Sequence, residues 1–288
     1  MSEPMLSIKG LNAYYGKSHV LRGVHMEVMP GEVIALLGRN GVGRSTTAKA
    51  IMGEVAPVGE IIFKGKPIAG LESHKIALMG LGYVPESRDI FPAMTVRENL
   101  ILGVKDMRHP GKYTIDQMLD MFPNLRRRAD TQAGVLSGGE KQMLTMCRTL
   151  MGDPELIIID EPTEGLAPKI VHQIGDMIAE IAKTGVAILL VEQKLSIALR
   201  IAHRVYVMGH GEIVYEGTPE EFKSRDDIRA EWAEFVVDMD VADAGRSGLS
   251  SDAGEGRLCT SDSACLNGSP LHEPTLLPQV RAELVFRP

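Results

Sequence analysis

A glycine-rich loop at residues 38–46 constrains the fold of this chain more than any other stretch of its sequence. It follows an apolar run at residues 33–37 and precedes a helix-forming segment. Where a strand runs into such a loop and then into a helix, backbone N–H groups converge and can hold a phosphate. Gly38 and Gly43 have the spacing of the pattern G-x-x-x-x-G-K-[ST], in which Ser45 would contact magnesium. Arg44 stands where that pattern has lysine. Taken alone, the loop could also be an ordinary tight turn, which glycine serves equally well.

Composition excludes several classes of protein. The 288 residues suffice for one large domain or two ordinary ones, and 44% hydrophobic and 24% charged residues are typical of a soluble globular protein. A net charge of −7 argues against general affinity for nucleic acid or for an anionic membrane surface. The three cysteines have no C-x-x-C spacing, so neither a zinc site nor a disulfide framework is predicted.

The first residues and the length of the apolar runs indicate where the protein is located. The start lacks the basic and apolar regions of a secretory signal. No run reaches the roughly 18 apolar residues that span a bilayer. We therefore expect a cytoplasmic protein that reaches a membrane only through a partner.

Strand patterns surround the loop. Residues 5–28 alternate apolar and polar positions in two runs, 5–11 and 20–28, which predicts a hairpin with Tyr15 near its turn. The ring of Tyr15 either packs within the hairpin or stacks on a nucleotide base. Residues 60–67 predict more antiparallel sheet, and residues 82–86 predict a short buried strand that leads into a loop.

Helical patterns fill the middle of the chain. From residue 95 to residue 130 the period is helical, and Thr95 and Glu98 have the spacing of a capping box. A second capping box, Ser137 with Glu140, precedes a helix that runs to about residue 151. Its first turn contains two glycines, and each costs a helix about 1 kcal/mol. Such glycines favour a site where another molecule approaches the backbone, and a helix N-terminus attracts phosphate.

Residues 156–161 predict an apolar strand that ends in two carboxylates, Asp160 and Glu161. A continuous apolar run suits the central strand of a parallel sheet, and such sheets bind ligands at the carboxyl ends of their strands. Beside a phosphate loop, one acid to hold magnesium and a second to orient or deprotonate water are the groups that phosphoryl transfer needs. The alternative is a pair of surface charges.

Gln193 follows another apolar strand, at residues 187–191, after a predicted helix at residues 169–183. Its amide can sense a terminal phosphate, hold a water, or serve only the loop. From about residue 241 to residue 288 the chain is rich in Gly, Ser and Pro and has no sustained period. We expect this tail to be disordered and assign it no function.

The order of three motifs resembles that of the ATP-binding cassette (ABC) transporter ATPases. Residues 38–46, 136–140 and 156–161 are similar to the Walker A, signature and Walker B motifs of that family. The resemblance covers residues 5–237 and implies an α/β fold with a P-loop NTPase core of ABC type. An antiparallel β subdomain and a helical signature subdomain, at about residues 87–155, would complete a domain at residues 1–240.

Within that family, residues 83–86, 90–92, 161–168 and 191–193 resemble the second ATPase subunit of importers for branched-chain amino acids, urea and amides. The resemblance implies that Tyr15 stacks on adenine, that Glu161 is the general base and that Gln193 senses the γ-phosphate. Magnesium would be held by Ser45, Glu86 and Asp160. The residues that bind ATP would be Gly38, Arg39, Asn40, Gly41, Val42, Gly43, Arg44, Ser45 and Thr46 of one subunit, with Ser137, Gly138, Gly139 and Glu140 of the facing subunit.

The resemblance also implies partners and a location. Two ATPase subunits, identical or different, would face each other head to tail. Glu86 and residues 95–130 would transmit their motion to permease subunits at the cytoplasmic face of the cell membrane. An extracytoplasmic solute-binding protein would deliver the solute, and no nucleic acid is expected.

Arg44 leaves alternative functions open. It keeps the positive charge of lysine but replaces a compact ammonium with a planar fork, so ATP binding could persist with slower turnover. A weakly hydrolysing regulatory subunit paired with a competent ATPase is therefore the alternative to an active ATPase. A soluble cassette ATPase of repair or translation would need a second cassette or a long coiled-coil insertion, and the sequence has neither.

Overall fold

The structure of the protein, a computed structural model, describes residues 3–108 and 111–232. Within these ranges the chain forms two sheets and the helices that cover them. The strands are β1 (Leu6–Tyr15), β2 (Ser18–Val28), β3 (Val33–Leu37), β4 (Pro57–Phe63), β5 (Lys66–Pro67), β6 (Leu81–Val84), β7 (Leu156–Asp160), β8 (Ala187–Val191), β9 (Arg204–Gly209) and β10 (Glu212–Gly217). The helices are α1 (Arg44–Ile51), α2 (Ser73–Leu78), α3 (Val96–Ile101), α4 (Ile115–Met121), α5 (Pro123–Arg126), α6 (Gly138–Leu150), α7 (Pro168–Lys183), α8 (Leu195–Ile201), α9 (Pro219–Ser224) and α10 (Asp226–Trp232).

The smaller sheet is antiparallel, with the strand order β2-β1-β4-β5. β1 and β2 form the predicted hairpin, which closes where Tyr15 pairs with Ser18. Both strands extend closer to the turn than predicted. Register shifts between Ile8 and Tyr14 interrupt the alternation of apolar and polar residues on which the prediction depended.

The larger sheet has the strand order β10-β9-β3-β8-β7-β6, and only β10 pairs with its neighbour in antiparallel fashion. Every residue of β3, β7 and β8 is buried. The strand predicted at residues 156–161 is β7, which ends one residue earlier and lies between β8 and β6 inside the sheet. As predicted, it is covered on both faces, since Leu156 and Ile158 pack into one core and Ile157 and Ile159 into another.

The parallel register brings the carboxyl ends of three strands to one edge of the sheet. Val191 of β8 lies between Leu36 of β3 and Asp160 of β7. The glycine-rich loop follows β3, Glu161 follows β7 and Gln193 follows β8. The sheet therefore gathers the loop and the predicted catalytic groups at the same edge.

A set of short helices, α3–α6, stands between β6 and β7 in the chain. The predicted helical stretch from residue 95 to residue 130 is three separate helices, and Pro123 begins α5 because its fixed φ suits a first helical turn. The capping boxes of Thr95 with Glu98 and of Ser137 with Glu140 are both confirmed.

The sequence also predicts domain boundaries, a disordered tail and the absence of a membrane span. The boundaries at residues 1–240 and 87–155 stay predictions, and the tail at residues 241–288 lies outside the described residues. Among the described helices, none is both long and apolar enough to cross a membrane.

Candidate active site

The glycine-rich loop ends in an uncapped helix N-terminus. Gly43 is the N-cap of α1 and offers no side chain to the first turn, so backbone N–H groups there remain available to an anion. A Cβ on Gly43 would lie 2.7 Å from Leu21 Cδ2, and a Cβ on Gly38 would lie 2.5 Å from the Met208 carbonyl oxygen. Both glycines also have positive φ. The loop therefore needs glycine at the two positions that define the motif.

Arg44, the first residue of α1, turns its side chain into the site. Its guanidinium is buried, and Nη2 donates hydrogen bonds to Asn40 Oδ1 at 3.0 Å and to Glu161 Oε1 at 2.7 Å. Nη1 is buried and has no partner among the described residues. A buried donor without an acceptor is costly, so this nitrogen fits an anion such as a phosphate. Arg44 thus joins the loop to the acid that follows β7.

Asp160 and Ser45 bring oxygen atoms together beside the loop. Ser45 Oγ donates to Asp160 Oδ1 at 3.0 Å, and Tyr83 Oη donates to Asp160 Oδ2 at 3.3 Å. Burial raises the pKa of Asp160, although these two hydrogen bonds oppose the rise. Burial and the nearby Asp160 also raise the pKa of Tyr83.

The donor set suits magnesium, which binds hard oxygen ligands and keeps several waters. No cluster of three or more His, Cys, Asp or Glu side chains that could hold a metal occurs within the described ranges. Magnesium here would therefore use the Ser45 hydroxyl, the Asp160 carboxylate, water and phosphate oxygens. Glu86 is exposed and lines a cavity of about 240 Å³ with Tyr83 and Asp160.

Glu161 combines a strained backbone with a partly buried carboxylate. Its φ of +44° is a left-handed conformation, which costs a residue of this type roughly 1–3 kcal/mol. The backbone N–H donates to the Val191 carbonyl at 2.8 Å, which fixes the turn against β8. Burial raises the pKa of Glu161, and the positive charge of Arg44 opposes that rise. The turn thus aims the carboxylate at the phosphate loop.

Glu192 is a buried acid whose role the sequence analysis missed. It is 2% exposed and accepts hydrogen bonds from Thr163 Oγ1 at 2.9 Å and from the backbone N–H groups of Gln193 and Lys194. It therefore ties the loop after β8, which carries Gln193, to the loop after Glu161. The signal in the sequence was an acid directly after an apolar strand, but its partner Thr163 is 29 positions away.

The glycines that begin α6 pack against their own chain. A Cβ on Gly139 would overlap Ile170 of α7, and a Cβ on Gly138 would lie 2.8 Å from Arg88 Nη1. Internal packing thus supplies a reason for these glycines beside the predicted approach of another molecule. Glu140 closes the capping box and also pairs with Arg128 at 3.3 Å. Within the described residues, no hydrogen bond or ion pair joins residues 137–140 to residues 38–46.

Two further candidates lie at the margin of the site. Tyr15 is the last residue of β1 and is half exposed, while its neighbour Tyr14 stacks on His19. Stacking of Tyr15 on adenine stays a prediction. Arg39 Nη2 donates to the Ala230 carbonyl of α10 at 3.0 Å, so its side chain is engaged away from the phosphate loop.

Comparisons with known proteins agree with this geometry. The family model described as "ABC transporter" matches residues 21–164. The chain is 40% identical over 216 residues to the high-affinity branched-chain amino acid transport ATP-binding protein BraG of Pseudomonas aeruginosa, a match that covers 74% of this chain and 93% of BraG. It is 34% identical over 223 residues to the Nod factor export ATP-binding protein I of Burkholderia pseudomallei, covering 76% of this chain and 72% of that protein. The solved ADP conformation of MJ1267, an ATP-binding cassette of an ABC transporter, superposes with a TM-score of 0.67 at 29% identity, over 78% of this chain and 94% of that one.

Proposed function

The chain belongs to the ABC transporter ATPases, which couple ATP hydrolysis to transport, and from that premise we propose that it energises an importer of a small nitrogenous solute. Branched-chain or other amino acids, urea and amides are the solutes we propose. Identity to BraG over nearly the whole length of that protein supports this class. The chain is less similar to the Nod factor exporter, of which it also covers a smaller share.

The single observation that carries hydrolysis is the meeting of Arg44, Ser45, Asp160 and Glu161 at the phosphate loop. In the proposed reaction the N–H groups of residues 38–46 and the Arg44 guanidinium bind the phosphates of ATP. Magnesium, when bound at Ser45 and Asp160, neutralises charge on the phosphate oxygens. Glu161 accepts the proton of the attacking water as the bond between the β- and γ-phosphates breaks. Gln193 contacts the γ-phosphate from the loop that Glu192 holds.

The ion pair between Arg44 and Glu161 implies an order of events. One carboxylate oxygen of Glu161 accepts a hydrogen bond from Arg44, and the phosphates of ATP are charged acceptors that compete for the same guanidinium. In one mode of binding, the phosphates of ATP take Nη2 of Arg44 from Glu161, and the carboxylate is released toward water. In that mode, binding of the substrate prepares the base.

The family places such subunits in pairs beside membrane permeases, and we propose the finer arrangement as follows. Two ATPase subunits, identical or different, face each other so that Ser137, Gly138, Gly139 and Glu140 of one cover the ATP of the other. An extracytoplasmic binding protein supplies the solute. The complex lies at the cytoplasmic face of the cell membrane.

We propose that an open groove of about 670 Å³ is the surface that binds the permease. Leu78, Phe91 and Leu102 line it and are at least 49% exposed, and apolar side chains grouped in one groove mark interaction sites better than single exposed ones do. Phe91 belongs to the loop that also carries Glu86. A helical segment of the permease seated here would move with the loop beside the active site.

The alternative is a regulatory subunit that binds ATP and hydrolyses it weakly. The substitution of arginine for lysine and its contact with the proposed base favour this alternative. Two measurements on the assembled transporter, ATP hydrolysis and solute uptake, decide between an active and a regulatory subunit. They compare the native chain with Arg44→Lys and Glu161→Gln. If the subunit is active, the native transporter hydrolyses ATP at least tenfold faster than the Glu161→Gln transporter. Native turnover equal to that of Glu161→Gln, with turnover restored by Arg44→Lys, establishes the regulatory role.

A further inference from the structure

Arg88 is held in an unusual conformation by α6. Its φ of +59° is left-handed, which costs a non-glycine residue about 1–2 kcal/mol. Such strain persists where the surroundings impose it. The Thr145 hydroxyl of α6 lies 3.0 Å from the carbonyl oxygens of both Arg88 and Lys141, which share its one hydrogen, and Arg148 of α6 donates to the carbonyl of Asp89. Helix α6 therefore fixes the turn that aims the Arg88 side chain.

The Arg88 side chain bridges two segments that the active site uses. Its Nη2 donates to the Glu164 carbonyl, in the loop after Glu161, at 2.6 Å. Its Nη1 lies beside the first residue of α6, 2.8 Å from where a Cβ on Gly138 would stand. Leu166 Cδ2 is 3.4 Å from the same point. Gly138 thus leaves room for the guanidinium, and a side chain there would displace it.

Electrostatic attraction does not explain why the Arg88 guanidinium lies beside the N-terminus of α6. Among the ion pairs of the described residues, none includes Arg88, and a cation beside a helix N-terminus is opposed by the helix dipole. The planar guanidinium instead spans the gap between a carbonyl oxygen and a glycine. The Arg88 guanidinium therefore lies between the start of α6 and the loop that begins at Glu161, and it sets the distance between them.

We propose that Arg88 is a positioning residue that couples the start of α6 to the loop carrying Glu161. In this role it transmits contact between Ser137–Gly139 and the ATP of a facing subunit to the base of its own subunit. The inference rests on the proposed function, because it requires a facing subunit whose ATP covers α6. Its consequence is that loss of Arg88 weakens the coupling between the two ATP sites of a pair.

Arg88→Gly is the main test. Glycine adopts positive φ without strain, so the variant removes the guanidinium and leaves the turn intact. Arg127→Ala, which removes an exposed arginine at the end of α5, is the matched control. The measurements are ADP affinity of the isolated full chain, and kcat, KM and the Hill coefficient for ATP hydrolysis by the transporter assembled with its permeases. Arg88→Lys, which keeps the charge without the fork, is the second variant should Arg88→Gly fold poorly.

The expected result separates positioning from binding. ADP affinity of Arg88→Gly stays within about twofold of native, while kcat falls about 10- to 100-fold, as for a misplacement of about 1 Å. The Hill coefficient falls toward one, and Arg88→Lys shows the same split to a smaller degree. Gly138→Ala lowers kcat both by displacing the guanidinium and through its own place beside the facing ATP, so its effect in the Arg88→Gly background is smaller but not absent.

Three outcomes would overturn the inference. Native kcat and cooperativity in Arg88→Gly would remove the coupling role. A loss of ADP affinity as large as the loss of kcat would show a general effect on the fold or on nucleotide binding. Additive effects of Arg88→Gly and Gly138→Ala would show that the residues act separately. If the native transporter hydrolyses no ATP, the proposed function fails as well, whereas normal native turnover with a silent Arg88→Gly refutes this inference alone.

Discussion

The ion pair between Arg44 and Glu161 predicts that neutralising the acid tightens nucleotide binding. Arg44 Nη2 lies 2.7 Å from Glu161 Oε1, and both side chains are at most 11% exposed. A phosphate that binds Nη2 competes with the carboxylate for this nitrogen. Glu161→Gln keeps a hydrogen-bond acceptor and removes the charge, so it removes only part of the roughly 1.5–3 kcal/mol of a charged hydrogen bond. Taking that part as about 1–2 kcal/mol, the ADP dissociation constant should fall about 5- to 30-fold.

Titration calorimetry of the isolated chain with ADP and magnesium measures this effect. ADP has no γ-phosphate to hydrolyse, so binding is measured without turnover. Glu164→Gln is the matched control, since it removes an exposed carboxylate of the same loop that is not paired with Arg44. The gain should disappear in an Arg44→Ala background. An ADP affinity of Glu161→Gln within twofold of native refutes the reasoning. A gain that persists without Arg44 also refutes it, because simple repulsion between Glu161 and phosphate would then be the cause.

Three further predictions concern stability, the loop and the permease. Burial raises the pKa of Glu192, so the folded chain holds this proton more tightly than the unfolded chain does. The free energy of unfolding therefore falls as the pH rises from the ordinary carboxyl pKa through the raised one. Glu192→Gln should remove this part of the pH dependence of urea unfolding, and an unchanged pH profile contradicts the prediction. Gly43→Ala places a Cβ 2.7 Å from Leu21 Cδ2 at a φ of +115°, so it should cost roughly 1–3 kcal/mol in urea unfolding and weaken ADP binding, whereas native values would show that the loop tolerates a side chain. Phe91→Ala should cost no more than about 1 kcal/mol of stability, because its ring is half exposed and contacts the Arg148 guanidinium as a cation–π partner, and it should reduce copurification with the permease; undiminished copurification removes the groove from the interface.

Local patterns predicted the elements of this fold well. The apolar runs became β3, β7 and β8, and two capping boxes began helices at the expected residues. These features depend on neighbours a few positions apart, which a single sequence displays. The hairpin boundaries were less accurate, because the register shifts in β1 depend on pairing with β2.

The contacts that organise the site depend on residues far apart in the chain. Arg44 meets Glu161 across 117 positions, and Arg88 reaches Glu164 across 76. Strand order brings these loops together, and periodicity contains no information about strand order. The motifs therefore predicted that residues 38–46 lie beside Asp160 and Glu161, whereas the partner of Arg44 and the burial of Glu192 required the three-dimensional arrangement. The roles of Tyr15 and of residues 137–140 stay predictions.

The substitution of arginine for lysine allows two modes of nucleotide binding that have opposite consequences for rate. The guanidinium has two terminal nitrogens, of which Nη2 meets Glu161 and Nη1 has no partner among the described residues. In an exchange mode, Nη2 leaves Glu161 for phosphate, and the base is released. In a bridging mode, Nη1 binds phosphate while Nη2 keeps the base, and hydrolysis is slow. Exchange predicts tighter ADP binding in Glu161→Gln and little gain in turnover from Arg44→Lys. Bridging predicts unchanged ADP binding and faster turnover in Arg44→Lys, because an ammonium lacks the fork that holds both partners at once. The two measurements together therefore decide whether this loop serves an active ATPase or a slow one.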